Sequence, residues 1–293
     1  ATSANAYDTT TVKSVQSDGF TLGTESNHNQ SSTDYIAWQW KVNGATTSSN
    51  SDGDLTTTVQ VDSTAKISIF TYTGLDPIEP LDLGHGLGVA PDFFFIKKTN
   101  SGTARNWGLY HHKMSDAPET DYLRLNSDAA IADASTWWRD EAPTSTIIKT
   151  GEQADVNQPS DTFVCYAWKE VQGFSKFGQY KGNGDANGAF VYTGFRPAWI
   201  LLKETGATTS WGIWDHKRST SSSNPTDKLI LANASDAEYS GSSYYLDILS
   251  NGFKMRNSDG AWNGSSDHYI YAAFAEHPFV TSTDTNSIPT TAR

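Results

Sequence analysis

Apolar and aromatic residues along the chain fall in short runs, and Gly, Ser, Thr, Asn and Asp crowd the stretches between them. Runs of that length, rich in β-branched and aromatic residues and bounded by turn formers, predict strands rather than helices. The chain therefore reads as all-β.

Several runs repeat. YIAWQWK (Tyr35 to Lys41), FVCYAWKE (Phe163 to Glu170) and YIYAAFAE (Tyr269 to Glu276) share an apolar strand ending in an aromatic residue and then a charge. Trp40, Trp168 and Phe274 occupy equivalent positions in them. VAPDFFFIK from Val89 matches FRPAWILLK from Phe195, and Pro91 and Pro197 stand 106 residues apart. Trp107 to His112 matches Trp211 to His216, and Trp137-Trp138 falls opposite Tyr244-Tyr245. Self-similarity at a fixed period marks a duplicated module.

The chain thus divides into a partial module (1–45) that holds only back-half strands, a polar linker (46–65), module 1 (66–172), module 2 (173–279) and a tail (280–293). Each full module is expected to be a β-sandwich of jelly-roll type. A half-module leaves strand edges unpaired, a hazard that proteins cover. Its strands are expected to join the sheet of module 1 or that of a neighbouring subunit.

Charge and composition narrow the function. A net charge of −12, from 33 acidic against 21 basic residues, repels phosphate backbones and disfavours nucleic acid as a partner. One cysteine, Cys165, excludes an intrachain disulfide framework. No apolar run reaches the length of a membrane helix, so no membrane insertion is expected. The start at Ala1, without Met, fits a chain trimmed from something longer.

The motifs SDGFTLG (from Ser17), GHGLGVAPDFFFIKK (from Gly84), GFSKFGQYKGNG (from Gly173), FVYTGFRPAWILLK (from Phe190), LSNGFKMRN (from Leu249) and YIYAAFAEHPF (from Tyr269) cover nearly the whole sequence. Together they resemble module-repeat proteins of tailed bacteriophages of marine bacteria, which are labelled tail-fibre or virion structural proteins. The resemblance implies a virion component, without catalytic residues, in a fibre or surface appendage. By analogy with such fibres the protein would be a homo-oligomer, a trimer, with other virion proteins and host surface glycans as partners. The terminal Ile288 to Arg293 looks like the end of such proteins.

Candidate chemistry was weighed residue by residue. The glycine clusters at Gly84 to Gly88 and Gly182 to Gly188 precede strand-like runs, so they read as turns and not phosphate loops. His111-His112 and Asp215-His216 are adjacent pairs; on a strand each offers a single inward ligand, and no metal or cofactor is predicted. Asn50 to Asp54 opens like a calcium loop but lacks the downstream Glu. Acidic residues at Asp116, Glu119, Asp121, Asp133, Asp140 and Glu141 leave a glycosidase-like pair open, though no nucleophile or zinc motif accompanies them.

Trp40 with Trp168, and Trp107 with Trp211, are expected to anchor the core or an interface. Trp137, Trp138, Tyr244, Tyr245 and Trp262 lie among polar residues, where one of each adjacent pair should face outward. An exposed ring can cover a sugar's C–H face while Arg139, Asp140, Asn263 and Asp267 bond its hydroxyls. Burial of those rings against another subunit is the competing expectation. The leading reading is a non-enzymatic virion protein that attaches to host glycans. Passive decoration or filament formation, and a polysaccharide depolymerase, are the alternatives.

Overall fold

The computed structural model describes residues 10–16, 19–42, 46–75, 79–219 and 224–277, together with the backbone of Phe279–Val280 and Pro289–Thr290. Most of the proposed tail, including Ile288 and Arg293, lies outside the described residues. The protein is all-β.

The first strands are β1 (Val12–Val15) and β2 (Phe20–Leu22), then one-turn helix α1 (Ser26–Asn29), β3 (Ser48–Asn50) and β4 (Thr57–Asp62). Repeat 1 comprises β5 (Ile67–Thr73), β6 (Leu81–Gly84), β7 (Phe93–Lys98), β8 (Gly108–His111), β9 (Asp121–Arg124), β10 (Ala132–Asp133), α2 (Ser135–Trp138), β11 (Ile147–Thr150) and β12 (Thr162–Trp168). Repeat 2 comprises β13 (Ser175–Lys181), β14 (Phe190–Tyr192), β15 (Pro197–Glu204), β16 (Gly212–Asp215), β17 (Lys228–Leu231), β18 (Tyr239–Ser240), β19 (Leu246–Leu249), β20 (Gly252–Met255), α3 (Gly260–Asn263) and β21 (His268–Ala275).

The two repeats build the same large sheet. Its order is β5-β12-β7-β8-β9-β10 in repeat 1 and β13-β21-β15-β16-β17-β18 in repeat 2. The last strand of each repeat is inserted between the first strand and the strand that follows the second turn. Register agrees too: Phe163 lies between Tyr72 and Lys98, and Tyr269 between Tyr180 and Glu204. β4 and β3 extend the first sheet beyond β5, whereas β13 forms the edge of the second.

Alternation along each central strand supplies two buried faces. In repeat 1, Phe163, Cys165 and Phe70 face outward, beneath Leu81 and Leu83 of β6 and Ile148 of β11. In repeat 2, Tyr269, Tyr271 and Ala273 belong to a second core with Val191, Phe253 and Met255 from the three-stranded sheet β14-β20-β19. The opposite faces of the two large sheets meet each other. Phe93 stacks on Phe177 with ring centroids 5.3 Å apart, and Trp168 packs edge-on to Phe274 at 6.4 Å. The repeats are therefore layered through their large sheets and share a core, in place of two separate sandwiches in a row.

Polar groups lock this layer. His111 Nε2 lies 3.1 Å from the carbonyl oxygen of Tyr271, and His112 Nε2 lies 2.8 Å from that of Phe177. Trp211 Nε1 donates to the Arg124 carbonyl at 3.0 Å. Burial lowers the His111 pKa to about 3, with repulsion from His112 adding to the effect, so His111 acts as a neutral hydrogen-bonding ring. His112 is steadied by Asp92, 3.2 Å from its Nδ1, and Asp92 also accepts from Lys169 Nζ at 2.7 Å and the Glu170 amide at 2.9 Å. Burial alone would raise the Asp92 pKa, but these bonds outweigh it and hold the carboxyl at about 2.

The expectation that the half-module's strands join the sheet of module 1 needs correction, since β3 and β4, within the stretch read as a polar linker, extend that sheet instead. Among the described residues, β1 pairs only with β2, and Tyr35 to Lys41 belongs to no strand, so it joins neither sheet.

Phe177→Ala should cost about 3–5 kcal/mol in denaturant unfolding, whereas Tyr192→Ala, at a residue 61% exposed, should stay within about 0.5 kcal/mol. Asp92 has a depressed folded pKa, so its stabilisation is present above the ordinary value of 3.8 and lost as pH falls toward about 2. Urea unfolding across that window should show the wild type losing on the order of 2 kcal/mol more than Asp92→Asn. Parallel slopes for the two proteins would contradict this.

Candidate functional site

The aromatic residues expected at the surface are mostly inside. Trp137 is 0% exposed, Trp138 1% and Trp262 3%. Trp137 stacks on Tyr122 at 4.2 Å and lies over Gly108 of β8, while Trp138 packs edge-on to Phe94 at 5.0 Å. In repeat 2, Trp262 on α3 covers Gly212, the equivalent glycine on β16, and meets Trp214 at 5.0 Å. A Cβ at either glycine would sit under 3 Å from an indole, so the missing side chain makes room for the ring. Tyr244 and Tyr245 are half-buried, and the Tyr244 carbonyl accepts from Trp214 Nε1 at 2.9 Å.

Their polar neighbours are also mostly committed to structure. Arg139 ends α2 in the left-handed region with φ of 63° and pairs with Asp82 at 2.7 Å and Glu141 at 3.0 Å. Asp140 is exposed, and its φ of 53° continues that turn. Asn263 is fully buried; its amide donates to Asn183 Oδ1 at 2.9 Å, to the Asp185 carbonyl at 2.9 Å and to the Asn257 carbonyl at 2.7 Å. The structure does not gather the nominated set on one exposed face; Tyr244 and Trp262 line a concavity of about 260 Å³ with Tyr239 and Asp259. Asp267 alone among them is both exposed and beside a concavity.

A larger concavity opens where the two repeats meet. A groove of about 820 Å³ is lined by Met114, Asp116, Asp121 and Ile131 from repeat 1 and by Gln179, Lys181, Thr205, Ser266 and His268 from repeat 2. A separate hollow of about 510 Å³, walled by Glu204, Thr209 and Asp267, shares Ser266 and His268 with the groove's lining. His268 bridges the two walls of repeat 2, with Nε2 2.7 Å from Gln179 Oε1 and Nδ1 3.1 Å from Thr205 Oγ1. Burial, helped by the Lys181 charge, lowers its pKa and favours the neutral ring. Glu204 is buried and accepts from the Gly206 amide at 2.8 Å. Amide, hydroxyl, ammonium and carboxylate groups therefore line the larger groove. Such a lining suits a ligand rich in hydroxyls.

Asp116 and Asp121 belong to the acidic set that leaves a glycosidase-like pair open in the sequence, whereas Gln179, Lys181, Thr205 and His268 carry no mark there. No local pattern marks them, because the groove exists only once the two large sheets have packed.

A second concavity, of about 290 Å³, lies between Ile36 to Trp40 and repeat 2, with Trp199 at its centre 5.4 Å from Trp40 and 6.4 Å from Trp38. Trp40, expected to anchor an interface, lies half-buried against Trp199 and Phe274. Elsewhere, Cys165 is fully buried, and burial pushes its thiol pKa well up. Asp215 pairs with Arg218. In the Asn50 to Asp54 turn, Asp54 accepts from the Asp82 amide at 2.7 Å. Among the described residues no three metal-ligating side chains converge.

The model of a family described as a domain of unknown function, DUF7483, matches residues 1–278. No curated protein and no solved structure matches the chain.

Asn263→Ala should act on stability and leave the groove's occupancy untouched, since the amide supports loops from inside. A loss of about 2–3 kcal/mol in denaturant unfolding is expected, because it strands several buried partners.

Proposed function

Because the chain belongs to that family, whose function is unknown, we propose from the geometry that it is a structural component of a tailed-phage virion. It sits in a fibre or surface appendage and docks host-surface glycans in the groove between its repeats. The observation that carries this reading is the lining: Asp116, Gln179, Lys181 and Ser266 in the groove, with Asp267 in the neighbouring hollow, offer both donors and acceptors. A polysaccharide presents hydroxyls in series and can pair with such a ladder.

The groove's larger apolar groups, Met114 and Tyr180, are buried, at 1% and 9% exposure, so no broad aromatic face covers a sugar ring. Affinity per site is then modest, and attachment strength comes from several copies acting together in a homo-oligomer. Shared cores between the repeats supply the stiffness a fibre element requires.

Glycan-array or capsule-binding measurements with the protein displayed in many copies test this. Wild type should bind a subset of bacterial surface polysaccharides, and Gln179→Ala with Asp267→Ala should reduce retention at least about tenfold, equivalent to roughly 1.4 kcal/mol. Absence of binding to any surface polysaccharide of a susceptible host would sink the proposal.

A further inference from the structure

Residues 23–40 are folded as the back half of a repeat although no front half accompanies them. Three asparagines show the equivalence: Asn29, Asn157 and Asn263 each donate Nδ2 to the carbonyl six residues earlier, at Gly23, Gly151 and Asn257, over 2.7, 3.3 and 2.7 Å. Ser32, Ser160 and Ser266 follow, all left-handed with φ of 62°, 63° and 70°. Tyr35 then donates to the Ser26 carbonyl and accepts from the Gln30 amide, as Tyr269 does with Gly260 and Gly264. What differs is cover. Tyr269 and Ile270 are 0% and 1% exposed, but Tyr35 and Ile36 are 47% and 37% exposed.

This half-module meets repeat 2 as repeat 2 meets repeat 1. Trp168 packs on Phe274, and Phe274 packs on Trp40 at 5.2 Å. His111 faces Tyr271, and its equivalent Asp215 shares a cleft with Ala37, the equivalent of Tyr271. One element is missing. Phe93 stacks on Phe177 of β13, and His112 reaches the Phe177 carbonyl. Their equivalents Trp199 and His216 instead line the 290 Å³ cleft, where a strand like β13 would lie; there His216 Nε2 stands 3.4 Å from Glu276 Oε1 and Nδ1 3.1 Å from the Ala198 carbonyl. The indole N–H groups of Trp38 and Trp199 there have no hydrogen-bond partner.

We propose that this cleft, with the backbone of Tyr35 to Trp40 beside it, which pairs with no strand among the described residues, is a docking site for the leading strand of a third front half. The occupant is an extended segment patterned like Ser175–Lys181. It adds antiparallel to Tyr35–Trp40, places an aromatic ring on Trp199 and turns a carbonyl toward His216, so that three modules share one aromatic centre. In both full repeats the front half precedes the back half, so the occupant joins the chain ahead of Thr10.

Amide hydrogen exchange read by mass spectrometry tests this in two arms. In the first, a synthetic peptide with the sequence of residues 173–184 is added to the full chain at about 1 mM. It should slow exchange across Ile36 to Lys41 and not elsewhere, and both a Phe177→Ala peptide and the His216→Ala chain should lose most of that protection. In the second, a copy of residues 173–242 is joined directly ahead of Thr10. Exchange across Tyr35 to Lys41 should then slow about 100-fold, toward that of Phe163 to Trp168. The proposal is overturned if the graft leaves Tyr35 to Lys41 unprotected, whether or not the appended strands fold. It is also overturned if the unmodified chain already protects them, or if that protection depends on protein concentration, which would identify a second copy as the occupant. If the peptide fails while the graft protects, the site stands and requires the whole front half.

Discussion

Everything in this molecule leans on one apolar layer, in which the inward faces of an eight-stranded and a six-stranded sheet press Phe93 onto Phe177 and Trp168 onto Phe274. Polar side chains that enter this layer must find partners, and His111 and His112 are spent on backbone carbonyls of the other repeat. Because each ring of the layer comes from a different strand, neither sheet can shift against the other without opening voids in both. The groove that carries the proposed function lies at the rim of this same contact, where loop residues Met114, Asp116, Ile131 and Ser266 join strand residues Asp121, Gln179, Lys181 and His268.

The duplication was legible before any coordinates because packing layers impose matching positions. The equivalence of Trp40, Trp168 and Phe274 could be read from three short strings, and in space Phe274 touches both of the others. Strand order followed less directly: nothing local says that the last strand of a repeat inserts beside its first.

Site residues were harder for a specific reason. Trp137 and Trp138 were taken to alternate as on a strand, but they lie on a single helical turn, where neighbours about 100° apart can both face inward. Gly108 and Gly212 were the unread signal, since a glycine in a central strand marks a place where something approaches closely. The same role falls to Trp137 in one repeat and Trp262 in the other, at positions that do not align. Gln179 and His268, by contrast, acquire meaning only from a contact between segments far apart in sequence.

The insertion of β12 and β21 into the middle of their sheets has a consequence for how the chain is made. The central strand of each repeat is the last to leave the ribosome, so its sheet stays split until about a hundred residues have been synthesised. Pairings of such long sequence separation fold slowly, and until they form the two halves of each sheet present open edges to one another and to other nascent chains. On closely spaced ribosomes, a half-sheet has matching partners on every neighbouring chain.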